Sequence, residues 1–146
     1  MVAYSNQLLL LIEDSPEDRE TTVRALKKAG VHAPITHCHD GDDALAFLHR
    51  RGPYADNAKT ARPSMIFLDL NMPGTDGREV LAMIKLDPSL KTIPVLVITT
   101  SRDERDIRAC YQAGCNAYIC KPVDLSAFMR TMERVADFWL REVVLP

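Results

Sequence analysis

Five short, mostly apolar runs alternate with five amphipathic segments, and this alternation restricts the chain more than any other feature. The runs are QLLLLIE (7–13), ITHC (35–38), SMIFLD (64–69), IPVLVITT (93–100) and NAYICK (116–121). Runs that are apolar on both faces belong to strands covered on both sides, as in a parallel sheet. The segments between them have helical length. The first opens on Ser15 with Pro16 behind it and Glu17 and Asp18 in its opening turn, and it stops at Gly30, a capped start and a glycine stop. The others span 42–49, 77–86, 103–113 and 125–140, the last carrying Phe128, Met129, Met132, Val135, Ala136 and Trp139 at helical spacing. Five βα pairs in succession predict a three-layer α/β fold with right-handed crossovers and helices on both faces. Only RRGPYADNAKTARP (50–63) breaks the rhythm, as a polar loop longer than an ordinary αβ connection.

A chain of 146 residues is long enough for one full core and too short for a second, so residues 1–146 are expected to form a single domain with an apolar tail from about 138 to 146. The net charge is −2, and no Lys/Arg-rich run with interleaved aromatics is present, which argues against nucleic acid as a partner. No stretch approaches the roughly 18 apolar residues of a membrane span, and MVAYSNQLLLLIEDSPED lacks the basic start and small-residue cleavage site of a signal peptide. A cytoplasmic protein without a membrane partner is expected. Cys38, Cys110, Cys115 and Cys120 form no Cys-x-x-Cys pair, so they read as reduced, buried apolar residues.

In an open parallel sheet, ligands bind in the crevice beyond the carboxyl ends of the strands. The runs stop there on Glu13 and Asp14, on Asp69, on Thr99 and Thr100, and on Lys121. Three acids, two hydroxyls and one amine are thereby predicted to share one edge. Like charges at close range repel, so the acids need a cation. Oxygen ligands without His or Cys favour a hard divalent ion, and a site with few protein ligands favours Mg²⁺ over Ca²⁺. A carboxylate beside such an ion and a lysine ammonium is arranged to receive a phosphoryl group. Asp69 is the expected acceptor.

IEDSPED, FLDLNMPGTDG, VITTS and YICKPV resemble, in order and spacing, the receiver domain of two-component response regulators, over nearly the whole chain. The resemblance implies a flavodoxin-like (βα)5 sandwich with a parallel five-stranded sheet in the order 2-1-3-4-5. It implies that Glu13 and Asp14 place a Mg²⁺ ion, for which Mn²⁺ can substitute, and that Asn71 completes the metal shell through its backbone carbonyl. Asp69 then corresponds to the phosphorylated aspartate, Thr99 to the hydroxyl that moves toward the phosphoryl group, Lys121 to the phosphate-pairing lysine and Tyr118 to the aromatic that turns inward on activation. Lys121 and Pro122 resemble the family's cis peptide, which only an X–Pro bond adopts cheaply. The implied donor is a sensor histidine kinase, and the implied protein is no turnover enzyme, though slow autodephosphorylation is expected. With no DNA-binding or catalytic segment after the last helix, output is expected to run through protein contacts.

A narrower resemblance links the loop before the third strand, DGREVL, ITTS and the ending FWLREVVLP to single-domain regulators paired with bacterial phytochrome kinases. It implies a phytochrome-type partner and a homodimer through helix four, strand five, helix five and the tail, with Trp139, Val143, Val144 and Leu145 available for it.

Plainer readings stand beside these. Glu13 and Asp14 precede a helix and suit capping; Asp76 before Gly77 suits turn chemistry; Thr99 and Thr100 suit any strand. Tyr118 alone reads as a half-buried strand aromatic, and His37 and His39 as solvated or core residues rather than metal ligands. SRDERDIR reads as a solvated helix face with Arg102 and Asp106 at i,i+4. The tail could strap the core instead of pairing two copies. Three other functions also compete: an aspartyl-phosphate phosphatase, a flavin or dinucleotide binder, and a phosphorylation-independent binding module. The first wants a second acid where Asn71 stands. The second wants a glycine-rich phosphate loop where EDSPED stands.

Overall fold

The computed structural model describes residues 7–55 and 62–146. Its five strands are β1 (Leu9–Ile12), β2 (Ile35–Cys38), β3 (Met65–Leu68), β4 (Val95–Thr99) and β5 (Ala117–Cys120). They form one parallel sheet in the order β2-β1-β3-β4-β5, the expected flavodoxin-like order. The helices are α1 (Pro16–Lys28), α2 (Gly41–Leu48), α3 (Gly77–Leu86), α4 (Glu104–Ala113) and α5 (Leu125–Asp137). The long polar loop begins with a single 3₁₀ turn, Gly52–Tyr54; its residues 56–61 lie outside the described residues.

The two-residue period of the strands sorts their side chains onto two faces. Leu10, Ile12, Ile66, Leu68, Val95 and Val97 pack with α2, α3 and Cys110 of α4 on one side. Leu9, Leu11, Met65, Phe67, Leu96 and Ile98 pack with α1 and α5 on the other. Because both faces are covered, the central strands carry no polar alternation, and their leucines, isoleucines and valines each contribute roughly 1.5–3 kcal/mol by burial.

Each helix starts on a polar side chain that accepts from a backbone N–H of its first turn: Ser15 for α1, Asp40 for α2, Asp76 for α3, Asp103 for α4 and Asp124 for α5. These acceptors satisfy donors that a helix cannot pair internally. Asp76 is therefore a cap, as its turn-like sequence suggested. The start of α3 lies hard against the end of β3: a β carbon at Gly77 would stand 2.2 Å from the Asp69 carbonyl oxygen, while the Gly77 N–H donates to the Leu70 carbonyl at 3.0 Å.

The last helix ends earlier than its apolar pattern suggested. After Asp137 the chain widens into one π turn, Phe138–Glu142, closed by the Val143 N–H on the Phe138 carbonyl at 2.9 Å. The wider turn lets Trp139, Leu140 and Leu145 all reach the α1/α5 core, leaving Phe138 and Val144 exposed. Part of the tail thus straps the domain. Arg141 adds a hydrogen bond to the Ala29 carbonyl at the end of α1.

Candidate functional site

Strand register builds the site. Ile12 of β1 pairs with Leu68 of β3, so the next residues, Glu13 and Asp69, emerge side by side at the carboxyl edge. Backbone bonds fix both: Glu13 N–H donates to the Cys38 carbonyl at 3.1 Å, and Asp69 N–H to the Ile12 carbonyl at 3.0 Å. Lys121 follows β5 and is held by its own N–H on the Thr99 carbonyl at 2.7 Å. The five runs therefore deliver their terminal residues to one edge, as the parallel topology requires.

Glu13, Asp14 and Asp69 offer carboxylate oxygens that all lie within 4.8 Å of one another. Glu13 and Asp69 are buried, whereas Asp14 is exposed. Two buried acids and one open to water suit a hard cation that keeps part of its hydration, and this is the only such group of possible ligands among the described residues. Neither His37 nor His39 joins it. His37 instead bonds the Glu13 carbonyl oxygen through Nε2 at 2.6 Å and the Arg19 guanidinium through Nδ1 at 3.1 Å, while His39 lies beside Asp40 and Asp43.

Lys121 supplies the cation within the protein itself. Its ammonium donates to Glu13 Oε2 at 2.7 Å, to Asp18 Oδ2 at 2.8 Å and to Asp69 Oδ2 at 3.4 Å. An ammonium has three donors, and all three point at carboxylates. Burial acts to lower the lysine's pKa, but the hydrogen bonds to Asp18 and Glu13 and the charges of Glu13 and Asp69 hold it above its ordinary value. Burial and the Asp69 charge push the Glu13 carboxyl up to about 7, against the opposing pull of Lys121.

Thr99 is fully buried on the other side of the sheet edge, sharing its face with Val95 and Val97. Its hydroxyl oxygen accepts from the Ser101 N–H at a long 3.4 Å. Tyr118, also on that face, packs against the core and donates its hydroxyl to the Ser101 carbonyl at 2.9 Å. Asn71 lies two residues beyond Asp69, with an exposed side chain.

Two contacts carry no local sequence signal, and two expectations fail. Asp18, read only as a first-turn acid, is a direct partner of Lys121. Asp106, expected to pair with Arg102, instead takes a bidentate bond from Arg78 of α3, both contacts 2.8 Å, and accepts from Ser101 Oγ at 2.6 Å. The fork geometry of a guanidinium favours such a pair over a looser i,i+4 contact. The Lys121–Pro122 peptide, expected to be cis, is trans; no cis bond occurs among the described residues. Trans X–Pro is preferred by about 0.5–1 kcal/mol, and matching residue types do not determine the isomer.

The fold, the switch-edge acids and the buried lysine define a signalling receiver, and sequence comparison agrees: the family described as "Response regulator receiver domain" matches residues 9–133. The chain belongs to that family. Response regulator Rcp1 of Synechocystis sp. is 41% identical over 140 residues, covering 96% of this chain and 93% of the relative. A crystal structure of the Mn(2+)-bound form of response regulator Rcp1 superposes with a TM-score of 0.90 at 41% identity, covering 96% of this chain and 99% of that one. A crystal structure of the phosphorylated cyanobacterial phytochrome response regulator RcpA also gives a TM-score of 0.90 at 41% identity, over 96% and 98% of the two chains. A flavin or dinucleotide binder is set aside by this membership.

Proposed function

We propose that this receiver takes a phosphoryl group onto Asp69 from the phosphohistidine of a sensor histidine kinase of the phytochrome type. The observation that carries the reading is the meeting of Glu13, Asp14, Asp69 and buried Lys121 at the carboxyl edge of the sheet. A carboxylate oxygen of Asp69 attacks phosphorus, the P–N bond to the donor imidazole breaks, and the imidazole leaves with a proton from solvent. A divalent cation, Mg²⁺ with Mn²⁺ as substitute, held by Glu13, Asp14, Asp69 and the Asn71 carbonyl, would neutralise the phosphoryl oxygens as charge shifts. Lys121 pairs with one of those oxygens and Thr99 hydrogen-bonds another.

The product is a switch rather than a released compound. Attack of water on phosphorus slowly returns Asp69 and inorganic phosphate, and Asn71 stands where a phosphatase would place its general acid. Movement of Thr99 toward the phosphoryl group draws on its link to Ser101, and Tyr118 carries the change to α4, β5 and α5. We read residues 1–146 as one receiver acting in the cytoplasm, where its donor is made. None of the described helices is long and apolar enough to cross a membrane.

A homodimer through α4, β5, α5 and the tail is part of the same reading, supported by exposed Tyr111, Phe138 and Val144. Light-scattering masses that stay monomeric across a concentration series, with and without phosphorylation, would remove it.

The direct test is labelling with acetyl phosphate or kinase, with and without Mg²⁺, followed by mass spectrometry of the intact protein and its Asp69 peptide. One Mg²⁺-dependent adduct on Asp69, absent from folded Asp69→Asn, is expected. A folded sample that binds Mg²⁺ yet takes no adduct would favour a phosphorylation-independent binding module.

A further inference from the structure

Lys121 sits off-centre among its three acids, and the displacement has a residue behind it. Its bonds to Glu13 and Asp18 are 2.7 and 2.8 Å, while Asp69 is 3.4 Å away. The ammonium is thus drawn toward α1 and away from the carboxylate that the proposed chemistry uses. Asp18 lies outside the group of carboxylates that could share a metal ion, and α1 fixes it there, its own N–H donating to the cap Ser15.

The two close partners differ in what release costs. The Glu13 side chain is 4% exposed and that of Asp18 is 34%. A buried carboxylate abandoned by its cation stays desolvated, whereas one at the rim regains water. Asp18 is therefore the partner that Lys121 can leave. It is also the one that still holds the lysine when Glu13 is engaged by a divalent cation, because two cations on Glu13 repel each other.

We propose that Asp18 is a positioning residue for phosphoryl acceptance: it retains Lys121 at the rim and must release it when an anion arrives on Asp69. The inference rests on the phosphoacceptor reading. Asp18 favours the metal-loaded resting site, by drawing the lysine off the metal ligands, and disfavours the phosphorylated site, by competing for the lysine. Its removal consequently acts on the two ligands in opposite directions.

The test compares wild type, Asp18→Asn and Glu17→Gln, titrated first with Mg²⁺ and then, at saturating Mg²⁺, with beryllium trifluoride as the phosphoryl mimic, by calorimetry and amide ¹H–¹⁵N spectra. Asp18→Asn should weaken Mg²⁺ and tighten beryllium trifluoride, each by about three- to tenfold, in line with one charge-assisted hydrogen bond at a partly exposed position. Glu17→Gln removes a neighbouring charge that contacts no lysine among the described residues, and should change either affinity by less than about twofold. Loss of both affinities in Asp18→Asn, no change in either, or equal shifts in Glu17→Gln would overturn the proposal. Asp18→Ser repeats the test should the asparagine variant fold poorly.

Failure of the phosphoacceptor reading looks different. There the wild type itself ignores beryllium trifluoride at saturating Mg²⁺. The ammonium ¹H–¹⁵N resonance of Lys121 then still reads the contact by itself: a shifted or exchange-broadened signal in Asp18→Asn supports the retention of the lysine by Asp18, and an unaltered one sinks that as well.

Discussion

The hydroxyl of Tyr118 donates to the backbone carbonyl of Ser101 at 2.9 Å, tying β5 to the loop that follows β4. The same Ser101 offers its N–H to Thr99 and its hydroxyl to Asp106. One residue therefore gathers the hydroxyl at the site, the aromatic and the first turn of α4.

If this junction carries the switch, Tyr118→Phe should leave phosphoryl uptake within about twofold, since the ring touches no reacting group. It should lose a net hydrogen bond worth about 0.5–1.5 kcal/mol and shrink the amide shift changes that phosphorylation causes in α4 and β5. Spectra that respond as fully as those of wild type would remove Tyr118 from the coupling.

Lys121→Ala should bind Mg²⁺ more tightly than wild type, because the alanine no longer competes for Glu13 and Asp69. In the absence of metal it should also be less stable by about 3 kcal/mol, as expected when one partner of a buried ionic cluster is removed. Calorimetry and urea unfolding with and without Mg²⁺ measure both. An unchanged Mg²⁺ affinity would mean that the lysine and the metal do not share ligands.

Asp106 gives a pH dependence. The Arg78 and Ser101 hydrogen bonds, opposed by burial, hold its carboxyl down at about 2, against about 3.9 in an unfolded chain. A depressed folded pKa stabilises above the unfolded value and loses its effect as pH falls through the folded one. Asp106→Asn should therefore be less stable than wild type by about 1–2 kcal/mol at pH 7, with the gap closing from about pH 4 toward pH 2. Urea unfolding across that range checks the slope; a constant gap would mean that the Arg78 pair contributes nothing electrostatic.

Trp139 is the chain's one tryptophan and packs half-buried on the α1/α5 core. Trp139→Ala should cost about 1–3 kcal/mol, less than for a fully buried aromatic, without altering uptake at the far edge of the sheet. An unchanged urea midpoint would show that the tail does not brace the domain in solution.

What was legible in the sequence follows from how local each signal is. The covered strands show as apolar runs, and Glu13, Asp69 and Lys121 mark their ends, so the topology alone brings them together. Asp18 was absorbed by its position after Ser15, where an acid is already explained by the helix start; its bond to Lys121 joins residues 103 apart. Arg78 and Asp106 are likewise 28 apart on separate helices, and no periodicity links them. The π turn after Asp137 was hidden because Trp139 and Leu140 continue a helical apolar pattern until the backbone widens. The Lys121–Pro122 isomer was misread because a motif specifies residue types and not backbone geometry.

Position 77 has no room for a β carbon. Any residue other than glycine places a carbon where the Asp69 carbonyl and the Leu70 backbone already stand, at 2.2 and 2.6 Å. Neither obstacle is a side chain that could rotate aside. In a saturation library selected for signalling, this site should collapse to its parental residue even though it bears no functional group, and a map of mutational tolerance would mark it as strongly as the acid it lies against.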